Sequence, residues 1–154
     1  MNAQSSYRAE YQQKWSNAQA YTLELAEAMP DSAYDYKPTE DQMSFKEQLL
    51  HICSNMAWLS SSYLGGQKPD VDLKKTDYNK AELIQILEQH FKAAAKAVEA
   101  FPMNQLEEKV EFFAGPMSKR QILVLMNDHV VHHRGQLIIY ARLNGVKPPQ
   151  FRGW

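Results

Sequence analysis

The sequence predicts an all-α protein built as a four-helix bundle. Four segments repeat apolar side chains at three- and four-residue intervals, the period of an amphipathic helix, and stretches with proline or glycine separate them. Helices of about 20 residues span about 30 Å, so four of them can pack side by side along their whole length. A chain of 154 residues can bury one core without disulfides, so we expect a single domain over residues 1–154.

The first two helices have recognisable ends. Apolar periodicity predicts helix 1 from Tyr7 to Ala28, and Pro30 ends it. Helix 2 opens with the letters SFKE, where the Ser44 hydroxyl can accept the N–H of Glu47 and the Glu47 carboxylate can accept the N–H of Ser44. This capping box predicts a helix that runs to about Tyr63, before LGGQKP.

The same signal opens the other two helices. NKAE starts helix 3 at Asn79, and the helix stops before Pro102. SKRQ starts helix 4 at Ser118, and NGVKPP ends it after about Leu143. These bounds give helices 3 and 4 lengths similar to those of helices 1 and 2.

A short extended segment is expected before helix 4. In LEEKVEFFAGPMS, the residues Val110, Phe112 and Phe113 favour a strand or an extended edge, and a glycine and a proline follow them. The connections from helix 1 to 2 and from helix 2 to 3 are longer than tight turns and leave room for crossovers. Periodicity alone therefore leaves the order of the helices in the bundle open.

Composition excludes several classes of function. A formal net charge of -1 does not supply the basic surface that nucleic acid requires. Cys53 is the single cysteine, which rules out a disulfide framework and a cysteine-based zinc site and fits a reducing cytoplasm. The sequence shows no leader peptide, no run of about 18 apolar residues and no glycine-rich nucleotide loop. We expect a cytoplasmic protein that binds neither membranes nor nucleic acid.

The segment NDHVVHHRGQ places three of the five histidines within five residues. Because each helical residue advances by about 100°, His129 and His133 project from one face, whereas His132 points elsewhere. Two imidazoles four residues apart can converge on one ion, although such pairs also arise by chance. The HExxH motif of metalloproteases is absent. The pair therefore indicates a metal site only if a third ligand joins it.

The candidate third ligand is His51, which lies in LLHICSNMAWL about two turns into helix 2. Catalytic zinc sites take three protein ligands and leave one position open, so a histidine from another helix is needed. The alternative is a core histidine that hydrogen-bonds a neighbouring helix. A divalent cation would satisfy three inward histidines together, since they would otherwise repel when protonated.

Several other polar residues allow two interpretations of their role. Asn55 and Gln136 share the faces of the predicted ligands, so they can orient the ligand rings or serve as ordinary interhelical hydrogen-bonding groups. His90 is interpreted as an exposed or boundary residue. Arg134 is interpreted as a structural ion pair with a carboxylate such as Asp128, or as a surface residue. No catalytic acid or base stands out, so the catalytic residues stay unassigned.

The C-terminal segment VKPPQFRGW carries two large apolar residues, Phe151 and Trp154, where a tail is expected. Such side chains are expected to dock on the body of the domain or on a second subunit. A homodimer is therefore one of the two expectations for this segment.

Two stretches make the chain resemble the DinB/YfiT-like superfamily of metalloenzymes. YKPTEDQMSFKEQLLH enters helix 2 and ends at a histidine, and HVVHHRGQLIIYARLNGVKPP closes helix 4. The second stretch is the more specific, because HHRGQL, an aromatic residue, RLNG and a proline occur together in that family. The resemblance covers most of the chain and implies a bundle of up-down-down-up topology. It also implies a divalent metal held by His51, His129 and His133.

The resemblance implies a class of activity as well. Characterised relatives include thiol S-transferases and isomerases that use low-molecular-weight thiols such as bacillithiol, mycothiol or glutathione. We therefore expect a small thiol and an electrophile as substrates, with zinc or nickel, or else manganese or iron, as the ion. A metal-dependent hydrolase and a non-catalytic metal-binding bundle remain alternatives. A DNA-binding role is suggested by the family name alone.

Overall fold

The computed structural model describes residues 3–154, with side chains from residue 6 onward. Within that range the chain forms the four long helices that the sequence predicts, together with two short 3-10 turns and a two-stranded hairpin. The helices are α1 (Ala3–Ala28), α2 (Phe45–Tyr63), α3 (Lys80–Ala100) and α4 (Lys119–Leu143); the strands are β1 (Lys109–Val110) and β2 (Met117–Ser118). Helix α1 begins four residues before the predicted start at Tyr7, and the other bounds agree closely with prediction.

The three predicted capping boxes all form. Ser44, Asn79 and Ser118 each accept the third backbone N–H of their helix, and the third side chain accepts the N–H of the cap. At α2, Ser44 N–H donates to Glu47 Oε2 at 2.6 Å, and Glu47 N–H donates to Ser44 Oγ at 3.2 Å. These caps fix where α2, α3 and α4 begin, and hence which residues face the bundle interior.

Helix α1 runs antiparallel to α3. Near the middle of α1, Trp15 Nε1 donates to Phe91 O at 3.2 Å. At the end of α1, Lys80 Nζ donates to Met29 O at 2.8 Å, so residues late in α1 meet residues early in α3. The two helices therefore point in opposite directions.

Helix α4 runs parallel to α1 and antiparallel to α2. Tyr11 OH donates to Leu123 O, and Arg134 Nη1 donates to Ala18 O. The residue numbers therefore increase in the same direction along α1 and α4. Along α2 and α4 the residue numbers increase in opposite directions. Gln48 hydrogen-bonds Gln136 and Tyr140, whereas His51, further along α2, lies beside His129, which is earlier in α4. The topology is up-down-down-up, as the family resemblance implies.

The parallel pair α2 and α3 requires a connection that returns along the bundle. Residues 64–79 make this crossover, and its middle passes beside the first turns of α2, where Leu73 and Thr76 line a cleft with Glu47. The crossover thus forms one wall beside α2. In the part of the chain that the structure describes, no helix combines the length and hydropathy that a membrane span needs.

The hairpin before α4 confirms one part of the predicted extended segment. Val110 pairs with Met117, and Lys109 pairs with Ser118, in antiparallel register. Phe112 and Phe113 lie in the turn rather than in a strand, and both rings stack on Trp58 of α2, with centroids 5.5 and 6.3 Å away. Aromatic packing onto α2 therefore holds the turn, and the strand is limited to two residue pairs.

Two side chains differ from their predicted environment. His90 is buried, at 1% exposure, and its Nδ1 lies 2.7 Å from Ile86 O, so the prediction of an exposed or boundary residue is wrong. Helix α3 packs against both α1 and α2, which buries a wider arc of the helix than one neighbour would. Arg134 is also buried, with its guanidinium 4.8 Å from the ring centre of Tyr21. It is not a surface residue, and among the described residues it pairs with no carboxylate, Asp128 included.

The C-terminal tail docks on α1. Arg152 Nη2 lies 2.7 Å from Glu24 Oε1, and Asn17 Nδ2 donates to Trp154 O at 2.6 Å. The Phe151 ring meets Tyr21 edge to face, with centroids 6.3 Å apart. Arg152 and the tail backbone therefore dock on the body of the domain, one of the two expected outcomes, whereas the Phe151 and Trp154 side chains stay 67% and 65% exposed.

Candidate metal centre

The three predicted ligands converge between α2 and α4. His51 lies on α2, and His129 and His133 lie one turn apart on α4. One nitrogen from each ring lies within 4.8 Å of the others, and the ring centroids are 4.4 to 4.9 Å apart. Among the residues that the structure describes, these three form the single group of histidine, cysteine or carboxylate side chains able to hold one metal ion.

The spacing of two of the nitrogens fits a tetrahedral ion. His129 Nε2 and His51 Nε2 are 3.1 Å apart. Two nitrogens at about 2.0–2.1 Å from a tetrahedral ion lie about 3.3 Å from each other. The two atoms therefore already stand close to the separation that shared coordination requires. Without an ion, two neutral imidazole nitrogens can lie this close only if one ring carries its proton on Nε2 and donates that N–H to the lone pair of the other.

Gln48 fixes the tautomer of the third histidine. Gln48 Oε1 lies 2.5 Å from His133 Nδ1. An amide oxygen can only accept, so Nδ1 must carry the proton and Nε2 keeps a free lone pair. A hydrogen bond on the remote ring nitrogen is the usual device that orients a metal-ligating histidine and raises its basicity. His133 is therefore prepared to donate through Nε2.

The orientation of the Gln48 amide is fixed in turn by α4. Gln48 Nε2 donates to Gln136 Oε1 at 2.7 Å and lies 3.4 Å from the hydroxyl of Tyr140. Because these contacts engage the amide nitrogen, the oxygen is left for His133. Tyr140 OH donates to Met43 O at 2.9 Å, and Gln136 Nε2 donates to Nε2 of exposed His132 at 2.9 Å. A chain of hydrogen bonds thus joins the candidate ligand to the loop before α2.

Burial keeps the three imidazoles neutral at physiological pH. Desolvation lowers the pKa of His133 to about 3 and that of His129 to about 4, with the neighbouring histidine charges adding to the effect. Desolvation also lowers the pKa of His51. Only the neutral ring offers a lone pair to a cation, so at neutral pH all three are ready to coordinate without losing a proton.

Two buried polar atoms near the cluster have no partner among the described residues. They are His129 Nδ1 and Asn55 Oδ1. Asn55 lies one turn after His51 on α2, the helix that faces His129. If an ion occupies Nε2 of His129, its Nδ1 must carry the proton and needs an acceptor. A buried amide oxygen with a free lone pair is the chemical type that this position requires.

A cleft opens beside His51. It has a volume of about 300 Å³ and lies between the first turns of α2 and the crossover. Its walls are mixed, with three apolar side chains, two hydroxyl groups, a carboxylate and an imidazole; the lining residues are Met43, Glu47, Leu50, His51, Ser54, Leu73 and Thr76. Such a cleft can admit a small organic molecule next to the cluster.

Glu47 is the one carboxylate among the described residues that line that cleft, and it is already engaged. Glu47 accepts the Ser44 N–H and lies 3.2 Å from Lys37 Nζ, and the Ser44 bond holds the pKa of its carboxyl below the usual range. A carboxylate committed to a helix cap and an ion pair is a poor general base. No carboxylate among the described residues that line the cleft is therefore free to act as a base.

The sequence predicts the three histidines of the cluster but not Gln48, the residue that orients His133. His132 is exposed and outside the cluster, as expected for a residue off that face. Gln136 does take part, but through Gln48, which the sequence reading overlooks. Gln48 lies three residues before His51, so its position on the same helical face was a signal that could have revealed it. Tyr140, a buried core residue, also joins the hydrogen-bond chain.

The fold and the cluster define a class: four-helix bundles with three histidines between α2 and α4 that could hold a metal ion. Comparison with known proteins places the chain in that class, because all of residues 1–154 match the DinB family. The chain belongs to the DinB family. It is 26% identical over 127 residues to YjoA of Bacillus subtilis (strain 168), covering 80% of this chain and 82% of YjoA.

Solved structures agree on the fold. The crystal structure of the DinB-like protein YjoA from Bacillus subtilis has a TM-score of 0.76 at 24% identity, covering 92% of this chain and 96% of that one. A DinB-like protein from Bacillus cereus has a TM-score of 0.80 at 17% identity, covering 92% and 95%. These likenesses establish the arrangement of the helices. They do not identify the chemistry, which has to be argued from the residues of the site.

Proposed function

We propose that this protein is a divalent-metal-dependent enzyme that transfers a low-molecular-weight thiol to an electrophile. The observation that carries the proposal is the convergence of His51, His129 and His133, with the Nδ1 proton of His133 held by Gln48. Three histidines and one open position form the donor set of catalytic rather than structural zinc sites. An all-nitrogen set suits zinc or nickel better than it suits manganese.

The residues present fit such an ion. The ligand nitrogens are close enough to share one centre, the rings are neutral at physiological pH, and a hydrogen bond fixes the donor atom of His133. When bound, a divalent cation supplies positive charge that lowers the pKa of a thiol or a water beside it. The protein supplies the orientation of the rings and the partial burial that keeps them neutral.

Thiol transfer is favoured over hydrolysis by the cleft. Hydrolysis of an ester or amide also draws on an acid or base that transfers a proton to the leaving group, and the one carboxylate among the described residues of the cleft is occupied by Ser44 and Lys37. A thiol has a lower pKa than water, so it needs less help to become the thiolate nucleophile. The apolar walls formed by Met43, Leu50 and Leu73 suit an organic electrophile. The family resemblance supports the same choice.

The test is an activity screen with a matched control. Metal-free protein and protein loaded with zinc or nickel are assayed against a panel of small thiols and of electrophiles that include epoxides, activated alkenes and isomerisable alkenes. We expect thiol-dependent turnover only in the loaded protein, its loss in His133→Gln, and its retention in His132→Gln. Ester or amide hydrolysis without thiol would indicate the hydrolase instead. Metal binding without turnover across the panel would indicate a non-catalytic bundle.

A further inference from the structure

Helix α4 carries apolar side chains on its outer face that the described chain leaves about half exposed. Val131 is 42% exposed and Ile139 is 54% exposed, and they flank the exposed Gly135 by four residues on each side. A Cβ atom built at Gly135 would meet nothing within 4 Å. Packing within this chain therefore does not require a glycine there, although glycine weakens the interior of a helix.

Charges on the same face are arranged symmetrically about Gly135. Asp128 lies seven residues before it and Arg142 lies seven residues after it, and both are exposed. Neither takes part in an ion pair within residues 3–154. Seven residues correspond to two helical turns, so all these side chains share one stripe along α4.

We propose that a second copy of this chain docks on this stripe, with the two α4 helices antiparallel and the twofold axis passing at Gly135. In that arrangement, a residue a given number of positions after Gly135 faces the residue the same number before it. Val131 then meets the partner's Ile139, and Asp128 meets the partner's Arg142. A surface that is complementary to itself in both charge and apolar contact is what an isologous dimer uses.

The geometry selects one class of helix packing. Seven residues span about 10 Å along the axis, so the charges stand about 10 Å on either side of the crossing point. At a crossing angle near 20° the axes diverge by only about 4 Å at that distance, whereas at 50° they diverge by about 9 Å. The charge pairs therefore require the shallow crossing. Gly135 at the crossing lets the backbones approach closely there.

The opposite signs at mirrored positions are the reason to assign a second copy rather than an unrelated partner. An unrelated surface needs no such symmetry in this chain. The stripe does not include His129 or His133, which face α2, so the dimer and the metal site are separate claims. If the dimer is disproved, the metal site is unaffected, and the reverse also holds.

Charge reversal tests the dimer directly by sedimentation equilibrium. Because of the twofold axis, Asp128→Arg replaces two attractive contacts with two repulsive ones, and so does Arg142→Asp. We expect each variant alone to associate at least about tenfold more weakly than the wild-type chain at low salt. An equimolar mixture of the two variants is expected to associate again, since each then offers the charge that the other lacks.

A second variant probes the axis itself. Cysteines introduced by Gly135→Cys would face each other at the crossing, and native Cys53 is buried and does not interfere. We expect oxidation to link this variant into a dimer faster than Lys96→Cys, which puts a cysteine on the exposed face of α3. A wild-type chain that stays monomeric at every concentration, a mixture that fails to associate, or equal linking rates would each overturn the proposal.

Discussion

Gln48 Oε1 and His133 Nδ1 lie 2.5 Å apart across the interface between α2 and α4. This contact decides which nitrogen of His133 carries its proton, and it leaves Nε2 directed at the cluster. Gln48 itself is buried, at 2% exposure, and its amide nitrogen is engaged by Gln136. The tautomer of one candidate ligand is therefore set by the packing of two helices rather than by the ion.

Replacing Gln48 by alanine should weaken metal binding without abolishing it. The substitution removes the acceptor for His133 Nδ1–H, so the ring can adopt either tautomer and orientation. Loss of such a partner typically lowers metal affinity by about 10–100-fold. Zinc titration with a competing chelator measures the change. Unchanged affinity in a folded Gln48→Ala protein would contradict the role assigned to this residue.

Asn55 should matter in the same titration. Its Oδ1 and His129 Nδ1 are both buried without a partner among the described side chains, and an ion on Nε2 of His129 would force Nδ1 to donate. We expect Asn55→Ala to lower zinc affinity by roughly tenfold. Ser54→Ala, an exposed neighbour on α2, is the control and should bind as the wild-type chain does. Equal affinities in the two variants would remove Asn55 from the site.

The metal-free protein should lose stability as the pH falls from 7 to 5. In the unfolded chain a histidine has a pKa of about 6.5, whereas burial lowers the pKa to about 4 for His129 and about 3 for His133. The folded pKa values are depressed, so below about 6.5 the unfolded state binds more protons and the free energy of unfolding decreases.

Urea denaturation of the metal-free protein at both pH values measures this effect. His133→Gln removes one of the titrating groups, so the difference in free energy of unfolding between the two pH values should shrink in that variant. A wild-type protein that is equally stable, or more stable, at pH 5 would refute the depressed pKa values.

Ser44→Ala should destabilise the protein by about 1 kcal/mol. The substitution removes the side chain that accepts Glu47 N–H and leaves that donor without its cap. Thermal or urea denaturation measures the loss. Ser54→Ala, in the exposed middle of the same helix, should change stability little. A Ser44→Ala protein as stable as the Ser54→Ala protein would show that the cap contributes nothing.

Local signals in the sequence account for most of the fold. Capping boxes at Ser44, Asn79 and Ser118 are short-range motifs, so they could be read without knowing the tertiary structure. The environments of His90 and Arg134 could not, because each depends on which helices pack on either side. Periodicity describes one face of a helix, whereas α3 has neighbours on two faces.

The candidate site likewise combines features that local sequence predicts with features that depend on how the helices pack. The four-residue spacing of His129 and His133 is local, and it predicted their shared face. The partnership of His51 with them needs the antiparallel register of α2 and α4, which the family resemblance supplied and spacing alone did not. Gln48 was missed because its contact with His133 joins residues 85 positions apart in the chain.

Metal content per chain is the most direct measurement of the central claim. Purified protein is loaded with zinc, freed of excess ion by gel filtration and analysed for bound metal by elemental analysis. The account predicts about one ion per chain in the wild-type protein and in His132→Gln, and almost none in His51→Gln or His133→Gln. A wild-type chain that retains no ion, or triad variants that retain as much as the wild type, would contradict it.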